Sequence, residues 1–410
     1  MPDVTRPLPA HENTFYFGVV LDFDPYDHRL QDDPYPVYAH LRREAPLYHH
    51  AEHDFYVLFR HADVDAALRA DGVYSNRMGV TLDASAWNPH AHLVMSFLAL
   101  DPPEQTRLRR LVSRGFTPRR VAELEPRIQR ITEQYLDELD GSFDWIADLA
   151  GRVPMDVISE MLGVPESDRA EVRRLADLLV QREDGLRDVP PAGIEASFQL
   201  LEYYRDLVAA RHRRPADDLT SALIAAESDG DRMTDDEVVA FLFLMVVAGN
   251  ETTTKLLGNA IYHLRDDTGR VFADPGLIPG WIEETLRYDT STQLLARYVV
   301  ADVTLHGVTV PAGSQLLVAL GSANRDPAVF TAPDSFDLTR GRDELSKILS
   351  FGGGRHFCLG ASLARLESAV VLREVVRRLR TVEVDHENCV RFYSSNVRGF
   401  AAVPVTAGAR

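Results

Sequence analysis

The chain contains 410 residues, of which 45% are hydrophobic and 26% are charged. This composition is that of a globular protein and excludes disordered and collagen-like chains. Lys and Arg together number 44 against 62 Asp and Glu, a formal net charge of −18, and this acidic balance argues against a nucleic-acid partner.

The chain shows no internal repeat, low-complexity tract or Gly/Ser-rich linker. At this length either two domains or one large, mostly helical body is expected. The lack of a linker favours one domain that covers residues 1–410. The amino-terminal residues are rich in acidic residues and proline, where a secretory signal needs a basic start and a continuous apolar stretch. We therefore expect a cytoplasmic protein.

Strand signals are short and lie in two regions, about residues 35–75 and about residues 296–322. In the first region YVLF follows a turn-like EHD, and in the second region apolar and polar residues alternate between turns. Apolar residues three and four apart predict helices over residues 118–139 and 194–214, each bounded by Pro or Gly. The pattern predicts a mainly α protein with small antiparallel β-sheets.

Two segments, residues 76–98 and 183–193, follow neither the helical nor the strand period. Long irregular segments within compact proteins often form lids or binding loops. We expect both segments to contribute to a ligand site.

A long apolar helix is predicted over residues 235–264, since Thr234 and Glu237 have the spacing of a capping box at its start. Its longest apolar run, residues 238–249, has about twelve residues against the roughly 20 that cross a bilayer, so we expect a buried helix and no membrane anchor. Residues 248–254, AGNETTT, interrupt this helix with polar side chains. The Thr hydroxyls could simply bond to preceding carbonyl groups. Alternatively, the polar turn is a functional site, because such sites often violate local preference.

The chain has two cysteines, Cys358 and Cys389, too few for a disulfide framework. Cys389 has no supporting pattern and is expected to be a small buried thiol. Cys358 lies in FGGGRHFCLG, directly before a periodic helix whose unpaired amide groups and dipole favour an ionised sulfur. A phosphate-binding loop is a poorer interpretation, because its Lys-Ser/Thr ending is missing.

This cysteine loop resembles the haem-binding signature FxxGxxxCxG of the cytochrome P-450 family, with every fixed position filled. AGNETTT resembles the family's oxygen-activating motif, A/G-G-x-D/E-T. Between them, in the family's order, lie an E-x-x-R pair, ANRDP and FDLTR. The chain is identified as a member of that family, which implies one large cytochrome P-450 fold and the activity of a haem-thiolate monooxygenase.

The resemblance implies haem b as the cofactor and Cys358 as the axial ligand of its iron. Thr252 is implied to donate a hydrogen bond in oxygen activation, and Glu251 to deliver protons from solvent. The other residues that the resemblance places at the haem are Arg109, Ala248, Gly249, Arg297, Phe351, His356 and Gly360. Arg109, Arg297 and His356 are implied to bind the propionates.

Three further residues are implied to form a structural ion-pair cluster behind the haem loop: Glu284, Arg287 and Arg340. The chain departs from the family at Gln105, where His is usual, so a propionate contact at that position is in question. Gln can still donate a hydrogen bond there.

Candidate substrate positions are Met78, Leu98, Gln293, Leu294, Leu295 and Asn396. Their mixture of apolar and polar side chains suits a lipophilic small molecule, expected to belong to secondary metabolism. The chain has no G-x-G-x-x-G nucleotide motif after a strand and no ferredoxin cysteines, so a separate ferredoxin and ferredoxin reductase are expected to bring electrons to a monomeric enzyme that uses dioxygen. The alternative is a haem-thiolate protein that does not use dioxygen, such as an isomerase, a peroxygenase or a ligand sensor.

Overall fold

The computed structural model describes residues 15–16, 19–20, 23–180, 182–183, 186–228 and 230–409. Helices form most of the protein, and the predicted mainly α class is confirmed. The helices are α1 His28–Asp32, α2 Tyr35–Glu44, α3 His61–Arg69, α4 His92–Met95, α5 Glu104–Val112, α6 Pro118–Ala122, α7 Glu125–Glu138, α8 Val153–Leu162, α9 Glu166–Val180, α10 Pro191–Arg213, α11 Leu219–Ala225, α12 Asp235–Leu264, α13 Thr268–Ala273, α14 Ile278–Tyr288, α15 Leu320–Ala323, α16 Arg342–Leu345 and α17 Ala361–Arg378.

The strands are short and form small sheets. They are β1 Phe15–Tyr16, β2 Val19–Val20, β3 Leu47–His50, β4 Phe55–Leu58, β5 Tyr74–Ser75, β6 Ser142–Asp144, β7 Glu227–Ser228, β8 Asp231–Arg232, β9 Leu294–Val299, β10 Val303–Leu305, β11 Val308–Val310, β12 Gln315–Ala319, β13 Leu379–Val384, β14 Val390–Phe392, β15 Gly399–Ala402 and β16 Pro404–Ala409. The largest sheet has the order β3-β4-β12-β9-β5, so the two predicted strand regions pair with each other.

One pair in that sheet differs from the predicted antiparallel arrangement. Strand β12 runs parallel to β4, with Leu316 opposite Tyr56, whereas β12 and β9 are antiparallel. Parallel neighbours need a long crossover connection, and here most of the helices lie between the two strands in the chain.

Strands also form where the sequence analysis predicted none. Strands β13, β16 and β6 make a three-stranded sheet, and β14 pairs with β15 in a hairpin near the carboxyl terminus. These strands are short. Some of them pair with strands distant in the chain and others through a bulge, so the local residue pattern predicts them poorly.

The predicted helix boundaries were confirmed for α12 and were wrong for residues 118–139. In α12, the Thr234 hydroxyl accepts from the Glu237 amide at 3.2 Å and the Glu237 carboxylate accepts from the Thr234 amide at 2.9 Å, which completes the capping box. Residues 118–139 form two helices, α6 and α7, because Pro126 fits only the first turn of a helix and starts a new one.

Helix α12 is the central element of the largest hydrophobic cluster. The segment Asp235–Ala273 is long and apolar enough for a membrane span, but 67% of its apolar stretch is buried inside the protein. A buried apolar stretch of this kind is typical of a helix in the core of a globular protein, and α12 is such a helix. Its middle turn therefore reaches the interior of the protein, where the candidate site lies.

Candidate active site

A cavity of about 1430 Å³, including its open mouth, lies between the middle of α12 and the cysteine loop. Most of its wall is apolar. The apolar side chains in the wall include Val80, Phe97, Leu98, Ile158, Phe241, Leu244, Met245, Leu256, Leu286, Leu295, Leu320 and Leu363.

Cys358 lies in the cavity wall, between a single turn of 3-10 helix at Gly354–His356 and the start of α17. Its amide donates to the Phe351 carbonyl at 2.9 Å, which closes the loop. The side chain of Cys358 is open to the cavity, but the surrounding protein desolvates the thiol and so raises its pKa. The backbone amides of Gly360 and Ala361 and the positive charges of Arg109 and Arg365 lower that pKa by less. The amides at the start of α17 stabilise the thiolate, as predicted from the sequence, but the desolvation of the sulfur has the larger effect on its pKa. A metal cation at the sulfur would reverse this balance, because coordination deprotonates a thiol.

Three nitrogen-bearing side chains converge on one side of the cavity: Arg109, Arg297 and His356. Nη2 of Arg109 donates to the Phe357 carbonyl at 2.6 Å, while its Nη1 is buried without a partner. Nδ1 of His356 is also buried without a partner. Among the described residues, no carboxylate forms an ion pair with any of the three.

Burial lowers the pKa of Arg297 to about 10. Burial, followed by the charges of Arg297 and Arg109, lowers the pKa of His356 to about 3. Buried cations without a counter-charge are costly. The cluster therefore fits a ligand that brings negatively charged groups into the cavity.

The polar turn of α12 forms the opposite wall. Ala248, Gly249 and Thr252 line the cavity, and the Thr252 hydroxyl donates to the Ala248 carbonyl at 2.9 Å. This is the back-bonding that the simpler interpretation of the motif requires. Glu251 is buried one position earlier on a different face of the helix, where its Oε1 lies 2.8 Å from Nζ of Lys255.

A family model described as Cytochrome P-450 matches residues 277–406. Cytochrome P-450 123 of Mycobacterium tuberculosis is 54% identical to this chain over 395 residues, which are 95% of this chain and 98% of that protein. The chain belongs to the cytochrome P-450 family. Its cofactor is haem b, and its activity is that of a haem-thiolate monooxygenase.

Solved structures of this family superpose closely on the chain. CYP109E1 of Bacillus megaterium, in complex with testosterone, has a TM-score of 0.80 and 32% identity and covers 91% of this chain and 99% of its own. PksS, a cytochrome P-450 of the bacillaene polyketide synthase of Bacillus subtilis, has a TM-score of 0.84 and 32% identity, covering 94% and 100%.

The residues of this cytochrome P-450 fit haem b. Cys358 would ligate the iron, and the unpartnered nitrogens of Arg109 and His356, together with Arg297, would receive the two propionates. A Cβ added to Gly360 would lie 3.9 Å from the Cys358 sulfur, ordinary contact distance, so this glycine is not required by crowding at the sulfur.

Glu284, Arg287 and Arg340 form one buried ion-pair cluster. Arg287 donates to both carboxylate oxygens of Glu284, at 2.7 and 2.9 Å, and Nε of Arg340 donates to the same carboxylate at 2.9 Å. Arg287 also donates to the carbonyl groups of Asn324, Pro333 and Ser335. The side chain of Asn324 in turn bonds to Leu349 and Ser350, just before the cysteine loop. The cluster thereby ties α14 to the segment that presents Cys358.

Gln105 does not line the cavity. Its Nε2 donates to the Arg355 carbonyl at 3.0 Å, so it supports the cysteine loop from outside.

Of the six predicted substrate positions, Leu98 and Leu295 line the cavity. Within the described part of the chain, Met78, Gln293, Leu294 and Asn396 lie outside its lining, and their role in substrate binding stays a prediction. The Gln293 amide group donates to the Thr290 carbonyl and the Tyr35 hydroxyl, and its backbone amide bonds to the Asn396 carbonyl. Leu294 and Leu295 are neighbours on strand β9, and only Leu295 lines the cavity, because successive side chains of a strand point to opposite faces of the sheet.

Several wall residues were missed by the sequence analysis. They are Ile158, Phe241, Leu244, Met245, Thr290, Ser291 and Thr292, whereas Val80 and Phe97 lie within the predicted segment 76–98. Those on α12 could have been found by extending the face of Ala248 backwards by three and four residues, which gives Met245 and Leu244. The others come from distant segments and have no local signal.

Proposed function

We propose that this cytochrome P-450 inserts one oxygen atom from dioxygen into a medium-sized or large lipophilic molecule, by hydroxylation or epoxidation, in secondary metabolism. The observation that carries the substrate class is the wall of the cavity, in which apolar side chains predominate and Thr290, Ser291 and Thr292 offer a few polar contacts. The likeness to a testosterone-bound structure and to an enzyme of polyketide synthesis supports this class.

Bound haem supplies dioxygen activation, assisted by electron donation from its thiolate ligand. Thr252 presents its hydroxyl at the cavity surface, next to the space above Ala248 and Gly249. In this role the Thr252 hydroxyl would give its proton to the reacting oxygen and would take a replacement proton from the Glu251 side. Glu251, buried behind it, delivers that proton from solvent. The apolar wall limits the entry of bulk water, which keeps protons on this route.

Electrons are proposed to come from a separate ferredoxin and its reductase, docking on the cysteine-loop face of a cytoplasmic, monomeric enzyme. Arg110 and Arg114 are exposed, on and just after helix α5, whose Gln105 and Arg109 side chains contact the cysteine loop. Arg109 turns inward to the cavity and Arg355 is paired with Asp71, so these two contribute less positive charge than the sequence analysis predicted. Charge reversal at Arg110 is expected to slow reduction without changing substrate binding.

The test of this proposal uses the purified holoenzyme with a panel of probes: testosterone, a macrolide and, as a polar control, glucose. A lipophilic probe that binds in the cavity beside the haem should change the haem absorption spectrum, whereas glucose should not. The bound probe is then turned over with a bacterial ferredoxin, its reductase and ¹⁸O-labelled dioxygen. One labelled oxygen atom in the product supports the proposal. Binding without labelled product under reducing conditions contradicts it and favours a protein that does not use dioxygen.

A further inference from the structure

Lys255 is one of only two lysines in the sequence, and it is buried in the protein core, with 3% of its surface exposed. Its ammonium group makes three contacts. Nζ lies 2.8 Å from Oε1 of Glu251, donates to the Phe400 carbonyl at 3.0 Å and sits 3.8 Å from the centre of the Phe392 ring. The Phe400 contact is a hydrogen bond, whereas the Glu251 contact is an ion pair without hydrogen-bond geometry and the Phe392 contact is a cation–π interaction.

The contacts of Lys255 join two elements that are distant in the chain. Glu251 and Lys255 stand one turn apart on α12, whereas Phe392 and Phe400 belong to the β14–β15 hairpin. Gly399 makes the close approach possible, because a Cβ added there would lie 2.6 Å from Cβ and Cδ of Lys255. The lysine stem is therefore held between the helix and the hairpin, with little freedom to move.

Exposed lysine–glutamate pairs one helical turn apart contribute little to the stability of the folded protein, because water screens the two charges. Here the side chains of Lys255 and Glu251 are 4% and 8% exposed. A buried carboxylate that loses its counter-charge becomes protonated instead, because burial disfavours the charged form. Lys255 therefore supplies the positive charge that lies beside the buried side chain of Glu251.

A second carboxyl group faces this pair from α9. Burial, and after it the negative charge of Glu251, raise the pKa of Asp177 to about 6, while Arg173 and Lys255 lower it. Arg173 is engaged with Asp156 at 2.8 Å. Among the described residues, the charged groups near this pair thus include Asp177 and Arg173 on α9. The β14–β15 hairpin adds Arg391, whose guanidinium lies 4.0 Å from the centre of the Phe400 ring.

We propose that Lys255 is a positioning residue for proton delivery: it holds Glu251 as a carboxylate and anchors it to the β14–β15 hairpin. The inference rests on the proposed role of Glu251. Between turnovers the carboxylate stays charged and can accept a proton from the solvent side. It then passes that proton towards Thr252 and returns to the charged form beside the ammonium group.

The experiment compares Lys255→Met with Lys255→Arg in the ferric holoenzyme, with Lys347→Met as the control at the other, exposed lysine. The protonated carboxyl of Glu251 is followed by infrared spectroscopy, and its band is assigned by its loss in variants that also carry Glu251→Gln. Removing the opposite charge in Lys255→Met should move the titration of this band upward by about 1 to 3 pH units. Lys255→Arg should restore it, and Lys347→Met should leave it unchanged.

Coupled turnover gives the second readout. The pH at which product per electron is half-maximal should move upward with the infrared midpoint in Lys255→Met, a change that general destabilisation would not produce. If Lys255→Met fails to incorporate haem, Gly399→Ala takes its place, since the added methyl group displaces the lysine stem and should shift the midpoint in the same direction.

Identical midpoints and pH profiles in the wild-type protein and in Lys255→Met, or in Gly399→Ala where that variant replaces it, would overturn the inference and leave the monooxygenase proposal standing. Wild-type coupling in Glu251→Gln would instead remove the role of Glu251, and the inference with it. The two failures are therefore distinguishable.

Discussion

Gln105 on α5 donates its side-chain amide to the carbonyl oxygen of Arg355 at 3.0 Å, and only 1% of Gln105 is exposed. The helix that carries Arg109 thus also supports the loop that carries Cys358. Gln105→Ala should leave the Arg355 carbonyl without this donor and lower the free energy of unfolding by about 1 to 3 kcal/mol. Urea unfolding of the holoenzyme measures this. Gln129→Ala, at a partly exposed glutamine of α7, should change it by no more than about 0.5 kcal/mol.

Cys358→Ala should abolish the thiolate spectrum. The variant lacks the sulfur that the cavity presents, whereas the propionate-binding cluster remains. The reduced carbon monoxide spectrum reports the ligand directly, and Cys389→Ala should keep the wild-type spectrum. An unchanged spectrum in Cys358→Ala would mean that the iron is held by another residue.

Thr252→Ala should uncouple electron consumption from product formation. The hydroxyl at the cavity surface is lost, so coupled product formation should fall by about 10²-fold, the lower range for a positioned proton donor. Peroxide and product are measured per electron consumed. Thr252→Ser retains the hydroxyl and should retain most of the coupling; equal coupling in wild type and Thr252→Ala would show that another group supplies the hydrogen bond.

Glu284→Ala should leave Arg287 charged and fully buried, since both side chains have 0% exposure. Breaking a buried pair in this way costs about 3 to 5 kcal/mol. Glu171→Ala is the matched control, because Glu171 and Arg174 have the same spacing but are more than half exposed, so water screens the pair and its loss should cost much less. Chemical unfolding and the rate of haem loss compare the two. Equal costs would contradict a structural role for the buried cluster.

Asp177→Asn should remove a pH-dependent loss of stability. The pKa of Asp177 is about 6 in the folded protein against an ordinary value of 3.8, so between these values the folded state binds more protons than the unfolded state. Stability is then lost as pH rises through this window. The free energy of unfolding of Asp177→Asn, measured relative to wild type, should be about 1 to 2 kcal/mol larger at pH 8 than at pH 4.5, allowing for partial exposure. Unfolding curves at both values test this, with exposed Asp206→Asn as the control; a gain of the same size at both pH values would be inconsistent with it.

The sequence by itself determined the features that a few neighbouring residues encode. Thr234 and Glu237 cap α12 through bonds to each other, so its start could be read directly. The cysteine loop and the polar turn of α12 are contiguous motifs, and the structure brings both to one cavity. Their chemistry follows from residue type and spacing, which do not depend on the rest of the fold.

Only the tertiary structure decided which distant side chains meet. It assigned Gln105 to the Arg355 carbonyl and not to the cavity, placed Leu295 in the wall and Leu294 outside it, and paired β12 with β4. It also brought the β14–β15 hairpin onto Lys255. Each of these depends on contacts between segments far apart in the chain, whose free energy comes from burying surface that no local pattern specifies.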